Sequence, residues 1–181
     1  TSMWVQGILV NALANLDVPV LSRLHKAWSI NDNKNVLYWN DYLFASRDSR
    51  ELQAEEQQMA QALSRLLGDL GISEAVEWSK NSRACFLTLF SLGTAHWKIP
   101  VNDASWGYLW MWAENQVLAA IKLVPIGQTS GQKLLSSAIE IIPDLVLTAL
   151  ALQDTEIGFT NPGQGMASAF HETQYTRLFR S

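Results

Sequence analysis

Apolar residues recur at helical spacing on both faces of the stretch from 106 to 128, which reads WGYLWMWAENQVLAAIKLVPIGQ. The more apolar face carries Trp106, Leu109, Trp110, Ala113, Val117, Ala120, Ile121 and Val124. A helix that is apolar on both faces is usually packed from several directions. Pro125 forbids further regular helix and Gly127 supplies a flexible turn, so we predict a central helix that ends at this corner.

The same helical spacing runs through the rest of the chain up to residue 152, with no hairpin signal and no alternating strand pattern. The first predicted helix is closed by Asn15, and the second is entered at Asp17-Val18-Pro19. A long helical region over 34–70 and a helix over 82–97 follow. The last predicted element is an apolar helix over 134–150 that Pro143 kinks or splits. We therefore predict an all-α, single-domain helical bundle over residues 1–181. The bundle itself spans about 3–152, and a loop and C-terminal interaction tail span 153–181.

Charged residues of alternating sign separate the two apolar sets of the long helical region, between residues 46 and 56. Arg47 and Glu51 stand at the i, i+4 spacing of a helical ion pair. We interpret this segment as a solvated helix face.

The last segment, HETQYTRLFRS over 171–181, is polar and basic but contains three large apolar residues. If the segment is helical, Tyr175, Leu178 and Phe179 stand at i, i+3 and i+4. Large apolar side chains within a polar surround are typical of protein interfaces, so we predict that the tail binds a partner. The alternative is that the tail packs back on its own bundle.

The composition fits a folded protein without a nucleic-acid or membrane partner. Hydrophobic residues make up 48% and charged residues 17%, and the net charge is −4, which argues against disorder and against a generic nucleic-acid surface. We find no apolar run of the roughly 18 residues that a membrane span needs, and no signal-peptide pattern. Cys85 is the single cysteine, which excludes an internal disulfide and suits a reducing cytosol. We therefore expect a cytoplasmic protein.

Candidate metal-binding and catalytic side chains are scattered along the sequence. His25, His96 and His171 show no HxH or HExxH spacing. Cys85 has apolar neighbours, so an inert buried thiol is expected rather than a nucleophile. We predict no catalytic residue, no cofactor and no resident metal. The alternative is a small helical metal-binding protein or enzyme that uses Cys85, His96 or the acidic helix residues.

The segment from Gly127 to Leu134 superficially resembles a phosphate-binding loop. The motif requires Gly before its Lys and Ser or Thr after it, whereas Lys133 stands between Gln132 and Leu134. We therefore reject a nucleotide site here.

Four separated segments carry a recognisable combination of motifs. They are YLW leading to ENQV over 108–117, KLVPIGQ over 122–128, DTEIG over 154–158 and HETQYTRLFRS over 171–181. In this order and with this C-terminal placement, they resemble the UreF family of urease accessory proteins, over nearly all of the chain. Two features depart from the family pattern: nothing like its LPVGxxSxSxGLE segment precedes Met3, and Phe170 stands where a basic residue commonly precedes HETQY.

This resemblance implies an all-α protein, often a homodimer, that is not itself an enzyme. It implies a scaffold that bridges a second accessory protein, UreD (also called UreH), to the GTPase UreG during nickel delivery to apo-urease. The residues expected to bind these partners are Lys122, Pro125, Gln128, His171, Glu172, Gln174, Tyr175, Arg177, Leu178, Phe179 and Arg180. Lys122 falls on the last turn of the central helix, where its ammonium is placed to meet an acidic partner.

Overall fold

Helices form nearly all of the regular structure in the computed structural model, which describes residues 2–123, 126–158, 166 and 170. The α-helices in these residues are α1 (Ser2–Ile8), α2 (Val18–Ser29), α3 (Asn33–Ala45), α4 (Arg50–Asp69), α5 (Ser73–Trp78), α6 (Phe86–His96), α7 (Val101–Leu123), α8 (Gln128–Ile139) and α9 (Ile142–Ala151). A π-helical segment (Leu9–Asp17) joins α1 to α2, and a 3-10 turn (Asp154–Glu156) follows α9. No strand occurs in the described residues, and the predicted all-α fold is confirmed.

The predicted break between the first two helices does not form. The π-helical segment carries the chain directly from α1 into α2, and the N–H of Val18 donates to the carbonyl of Leu13, five residues earlier. The side chain of Asp17 caps nothing, because it points into the core, where it is 1% exposed. The prediction that Asn15 closes one helix and Asp17 begins the next was therefore wrong.

The other predicted boundaries are met in part. Pro143 lies in the first turn of α9, and the predicted apolar helix is split there into α8 and α9. The long region over 34–70 is interrupted after α3, and Ser49 restarts the helix by accepting a hydrogen bond from the N–H of Leu52 at 3.2 Å. Residues 46–49 therefore form a loop rather than part of a helix face.

The helix at the centre of the core is α2 rather than α7. Val18, Val20, Leu21 and Leu24 of α2 are fully buried, and this helix packs against α3, α6, α7 and α9. In contrast, α7 buries only part of its circumference and leaves Trp106 and Leu118 exposed. The prediction that α7 is the central helix of the bundle was therefore wrong.

Two helical stretches reach the length and mean hydropathy of a membrane span, which the sequence inspection did not predict. They are Met3–Ser29 and Gln128–Ala151, and the apolar 18-residue window in each is 67% and 28% buried inside the structure, respectively. Polar residues such as Asn11 and Asp17 interrupt the apolar run of the first stretch. Its mean hydropathy nevertheless stays as high as that of a membrane span. The first stretch is a core helix of the bundle, whereas the second packs one apolar face on the core and leaves Leu147 exposed.

Gly131 of α8 packs closely against Ile121 of α7. A Cβ atom at this position would lie 2.5 Å from Cδ1 and 2.9 Å from Cγ1 of Ile121. We expect Gly131→Ala to lower the free energy of unfolding by about 1 kcal/mol, because Ile121 must leave its position to admit the methyl group. Gly107→Ala is the matched control: a Cβ on that α7 glycine meets nothing within 4 Å, so it should stabilise the protein or leave it unchanged. Urea denaturation measures both, and equal effects of the two substitutions would contradict the packing argument.

Candidate functional site

A buried ion network joins five parts of the fold. Arg47, in the loop between α3 and α4, donates from Nη2 to Asp17 Oδ1 at 2.7 Å and from Nε to Glu56 Oε1 at 2.8 Å. The hydroxyl of Tyr108 on α7 donates to the same Asp17 oxygen at 2.9 Å. The second oxygen of Glu56 accepts from the N–H of Phe86, the first residue of α6, at 2.8 Å. One guanidinium thus ties together the π-helical segment, the loop, α4, α6 and α7.

The network is held in fixed protonation states by its surroundings. Burial alone lowers the pKa of Arg47, but Asp17 and Glu56 together raise it well above its ordinary value, so the guanidinium stays charged. Burial and the nearby Asp17 carboxylate raise the pKa of Tyr108, so its neutral hydroxyl remains a hydrogen-bond donor. The predicted pair between Arg47 and Glu51 on a solvated helix face was wrong, because Arg47 precedes the helix and turns inward.

A cavity of about 540 Å³ opens beside this network. Its apolar and amide lining comes from Trp4, Ile8, Ala12, Leu13, Leu16, Leu52, Met59, Phe86, Met111, Trp112, Asn115 and Gln116. Its charged lining comprises Asp17, Arg47, Asp48, Glu55 and Glu56, four carboxylates against one cation. Burial and the neighbouring Glu56 raise the pKa of Glu55, and Arg47 only partly offsets them. The cavity is therefore apolar on its walls and electronegative at one side.

A second, apolar cavity of about 270 Å³ lies between α4, α6 and α7. It is lined by Leu63, Leu67, Leu89, Phe90, Gly93, Thr94, Trp97, Ile99, Asp103, Ala104 and Gly107. Residues of α4 and α7 line both cavities; α1 and the π-helical segment add six residues to the lining of the first cavity, and α6 contributes mainly to the second. On α6 the rings of Phe86 and Phe90 stack with centroids 5.8 Å apart, and Phe90 lies 6.0 Å from the ring of Tyr108. We call the two cavities together the α4–α7 groove.

The structure places only two of the residues predicted to bind partners. Lys122 is exposed on the last turn of α7, and Gln128 is exposed at the first position of α8. Neither lines the α4–α7 groove. The remaining predicted positions lie outside the described residues: Pro125, His171, Glu172, Gln174, Tyr175, Arg177, Leu178, Phe179 and Arg180.

Cys85 has the inert environment that the sequence predicted. Its side chain is fully buried, and burial raises the pKa of the thiol above its ordinary value. The amide oxygen of Asn40 accepts from the N–H of Cys85 at 3.0 Å and from the hydroxyl of Thr88 at 2.8 Å. His96 is exposed at the end of α6, and across the described ranges no group of three or more His, Cys, Asp or Glu side chains is placed to hold a metal ion.

The ion network is the feature that the sequence did not predict. The local pattern Asp17-Val18-Pro19 is the same for a helix cap and for a core carboxylate. The one available signal was the position of Asp17 inside the apolar run LANLDVPV, where an acidic residue requires a partner. The sequence alone does not identify that partner, because Arg47 is 30 residues away.

Comparison with known proteins assigns the chain to one protein family. The UreF family model matches residues 1–139. A protein of Alkalilimnicola ehrlichii described as urease accessory protein UreF is 49% identical over 178 residues, which cover 98% of this chain and 78% of the relative. The chain belongs to the UreF family. A UreF of Hahella chejuensis is 40% identical over 98% of this chain and 80% of its own length, and a UreF 2 of Brucella anthropi is 43% identical over 98% and 78%.

Family membership confirms the resemblance seen in the separated motifs. The segment matched by the UreF model includes all of α7, the corner that follows it and all of α8. Lys122 and Gln128 therefore lie within the matched segment of this UreF chain, as do all members of the ion network.

Removal of the network cation should destabilise the fold strongly. Arg47→Met keeps an apolar side chain of similar length but leaves the Asp17 carboxylate buried without its ionic partner. We expect a loss of about 3–5 kcal/mol in the free energy of unfolding, measured by urea denaturation. Arg50→Ala is the control, since this exposed arginine three positions on should change stability by no more than about 0.5 kcal/mol. Similar losses in the two variants would show that the network does not hold the helices together.

Proposed function

We propose that this chain acts as a scaffold in urease maturation and is not itself an enzyme. In this role it bridges the accessory protein UreD/UreH to the GTPase UreG while nickel is inserted into apo-urease, as a cytoplasmic homodimer. The observation that carries the proposal is membership of the UreF family, whose relatives are named as urease accessory proteins at 40–49% identity. Nickel is cargo in this proposal, and no resident cofactor is assigned to the chain.

The surface around Lys122 supports contact with a partner. Lys122 ends α7, and Leu118 and Leu123 on the same helix are 48% and 58% exposed. Gln128 adds an exposed amide at the start of α8. A cation and an amide beside exposed leucines have the mixed composition of a protein interface. We propose that this surface meets an acidic face of UreG.

The tail supplies the second surface of the proposed scaffold. Tyr175, Leu178 and Phe179 are anchor-type side chains, and Arg177 and Arg180 between and beyond them supply positive charge. We propose that UreD/UreH binds these residues.

The apolar stretch Gln128–Ala151 supports the homodimer. Of its apolar 18-residue window 28% is buried within one copy, and Leu147, near the C-terminal end of the stretch, is 65% exposed. Apolar surface of this kind is commonly covered by a second protein surface. Multi-angle light scattering on the purified chain measures the mass directly, and a monomer mass at all concentrations would remove the homodimer from the proposal.

Co-purification of the three proteins is the direct test of the bridge. Tagged UreG should retain UreD/UreH only when this chain is present, because the proposed scaffold contacts both. The bridging role would be contradicted if UreG retained UreD/UreH in the absence of this chain. It would also be contradicted if UreG retained neither this chain nor UreD/UreH when all three proteins are present.

Lys122→Ala should weaken binding of UreG without affecting folding. The side chain is exposed, so the free energy of unfolding should change by no more than about 0.5 kcal/mol. Loss of one interfacial charge should weaken the affinity for UreG about fivefold, measured by calorimetry. Lys26→Ala, an exposed lysine near the end of α2, is the control and should bind UreG normally. Normal urease activation in cells that carry Lys122→Ala would count against this surface.

Deletion of Gln174–Ser181 should abolish capture of UreD/UreH while the helical circular dichroism is retained. The deleted residues include all three anchors, and loss of interface anchors costs binding rather than folding. A truncated chain that binds UreD/UreH with unchanged affinity would refute the tail surface. A truncated chain that loses its helical signal would assign the anchors to the core instead.

A further inference from the structure

The chain that follows α9 is held to α2 by one arginine. Arg23 donates from Nε to Asp154 Oδ1 at 2.9 Å and from Nη2 to the carbonyl of Leu152. In the same segment, Gln153 and Glu156 form a reciprocal capping box across the 3-10 turn. Connecting segments on a protein surface are usually among its least constrained parts. Here the path of the chain toward the tail is specified by side chains of the bundle.

The end of this segment, at Ile157 and Gly158, lies against α3 and the π-helical segment. The hydroxyl of Tyr42 on α3 donates to the carbonyl of Ile157 at 2.6 Å, and the side chain of Ile157 is buried. The N–H of Gly158 donates to the carbonyl of Asn15 at 3.1 Å. The backbone that leads toward the tail is thus fixed beside the C-terminal half of α3.

The side of α3 that faces away from the core is apolar at its centre. We call its five exposed residues the α3 outer face: Lys34, Leu37, Tyr38, Asp41 and Ala45. Leu37 is 50% exposed and Tyr38 is 57% exposed, and charged side chains flank them on the same face. Large apolar side chains inside a charged rim have the composition of a protein interface.

Tyr38 is supported by other rings although it is exposed. Its ring lies edge-on to that of Trp39, with centroids 5.0 Å apart, and 6.4 Å from the ring of Tyr42. Trp39 is buried, and Tyr42 is bonded to the carbonyl of Ile157. An aromatic side chain that is already held in place loses little conformational entropy on binding, so Tyr38 is suited to anchor a partner. The ring contacts also join the α3 outer face to the segment that leads to the tail.

We propose that the α3 outer face binds UreD/UreH together with the tail, so that one partner molecule spans both surfaces. This inference rests on the proposed scaffold function, which assigns UreD/UreH to the tail.

The reach of the chain allows both contacts at once. From Gly158 to His171, where HETQYTRLFRS begins, the 13 intervening steps span at most about 47 Å, and α3 is about 20 Å long. A protein held by the tail is therefore kept near α3, and its second contact becomes an intramolecular step. In the described residues α3 makes no substantial contact with α7 or α8, so this face is separate from the surface proposed for UreG.

Calorimetric titration of purified UreD/UreH into the full 181-residue chain tests the proposal. Leu37→Glu places a carboxylate at the centre of the α3 outer face and should weaken binding at least about tenfold. Leu66→Glu is the matched control: it is the same substitution at a leucine of α4 that is 54% exposed, and binding should be unchanged. Both variants should keep the helical circular dichroism and the urea midpoint of the unmodified chain. Equal affinity of the Leu37→Glu variant and the unmodified chain would overturn the proposal.

A second pair of variants tests the aromatic anchor without adding a charge. Tyr38→Ala removes the ring and should weaken binding of UreD/UreH about tenfold. Tyr38→Phe keeps the ring and should bind as the unmodified chain does. If Tyr38→Ala binds UreD/UreH normally, the exposed ring is not an anchor and the proposal fails.

Other occupants of this face give different results. If Leu37→Glu weakens binding of UreG while UreD/UreH binds normally, the occupant is UreG and the proposal fails. If Leu37→Glu lowers the mass measured by light scattering, the occupant is a second copy and the proposal fails. In either case the unmodified chain still binds UreD/UreH, and the scaffold function stands. Failure of the unmodified chain to bind UreD/UreH would instead remove the scaffold function and this inference with it.

Discussion

The fold depends on one buried guanidinium. Arg47 is enclosed between Asp17 and Glu56, with side-chain exposures of 16%, 1% and 12%. Buried charges are tolerated only where each has partners of opposite sign and satisfied hydrogen bonds. The hydroxyl of Tyr108 and the N–H of Phe86 complete that requirement. Five segments are thus fixed to one point, and a shift of any one of them breaks an ion pair or a hydrogen bond of the network.

The same network defines one side of the groove. Apolar packing secures α2 on α6 and α7 on α8 and α9, but it does not join α4 to α7. The polar contacts of Glu56 and Tyr108 bridge these two helices beside the groove through Arg47 and Asp17. The walls are thereby held apart at a defined separation without being closed against each other.

Local patterns in the sequence predicted the helices, the split at Pro143, the buried thiol and, through separated motifs, the family. Each of these depends on residues that are neighbours along the chain or on a motif order that the family shares. The network was missed because the acid in Asp17-Val18-Pro19 matches a helix cap, and because a loop arginine carries no sign of which way it turns. The groove was missed because an apolar face looks the same whether it is covered or open. Of the predicted partner-binding residues, Lys122 and Gln128 are exposed, while Pro125 and the tail positions stay predictions.

The environment of Cys85 has a practical consequence for following this chain during assembly. It is the one cysteine in the sequence, it is fully enclosed, and its pKa is raised, so little of it is the reactive thiolate at neutral pH. A thiol introduced at an exposed position would therefore be the only sulfur that a maleimide dye reaches quickly. Donor and acceptor dyes can be attached to the chain and to another protein without first removing the native residue. Distances within an assembling complex then become measurable on the chain with its own core intact.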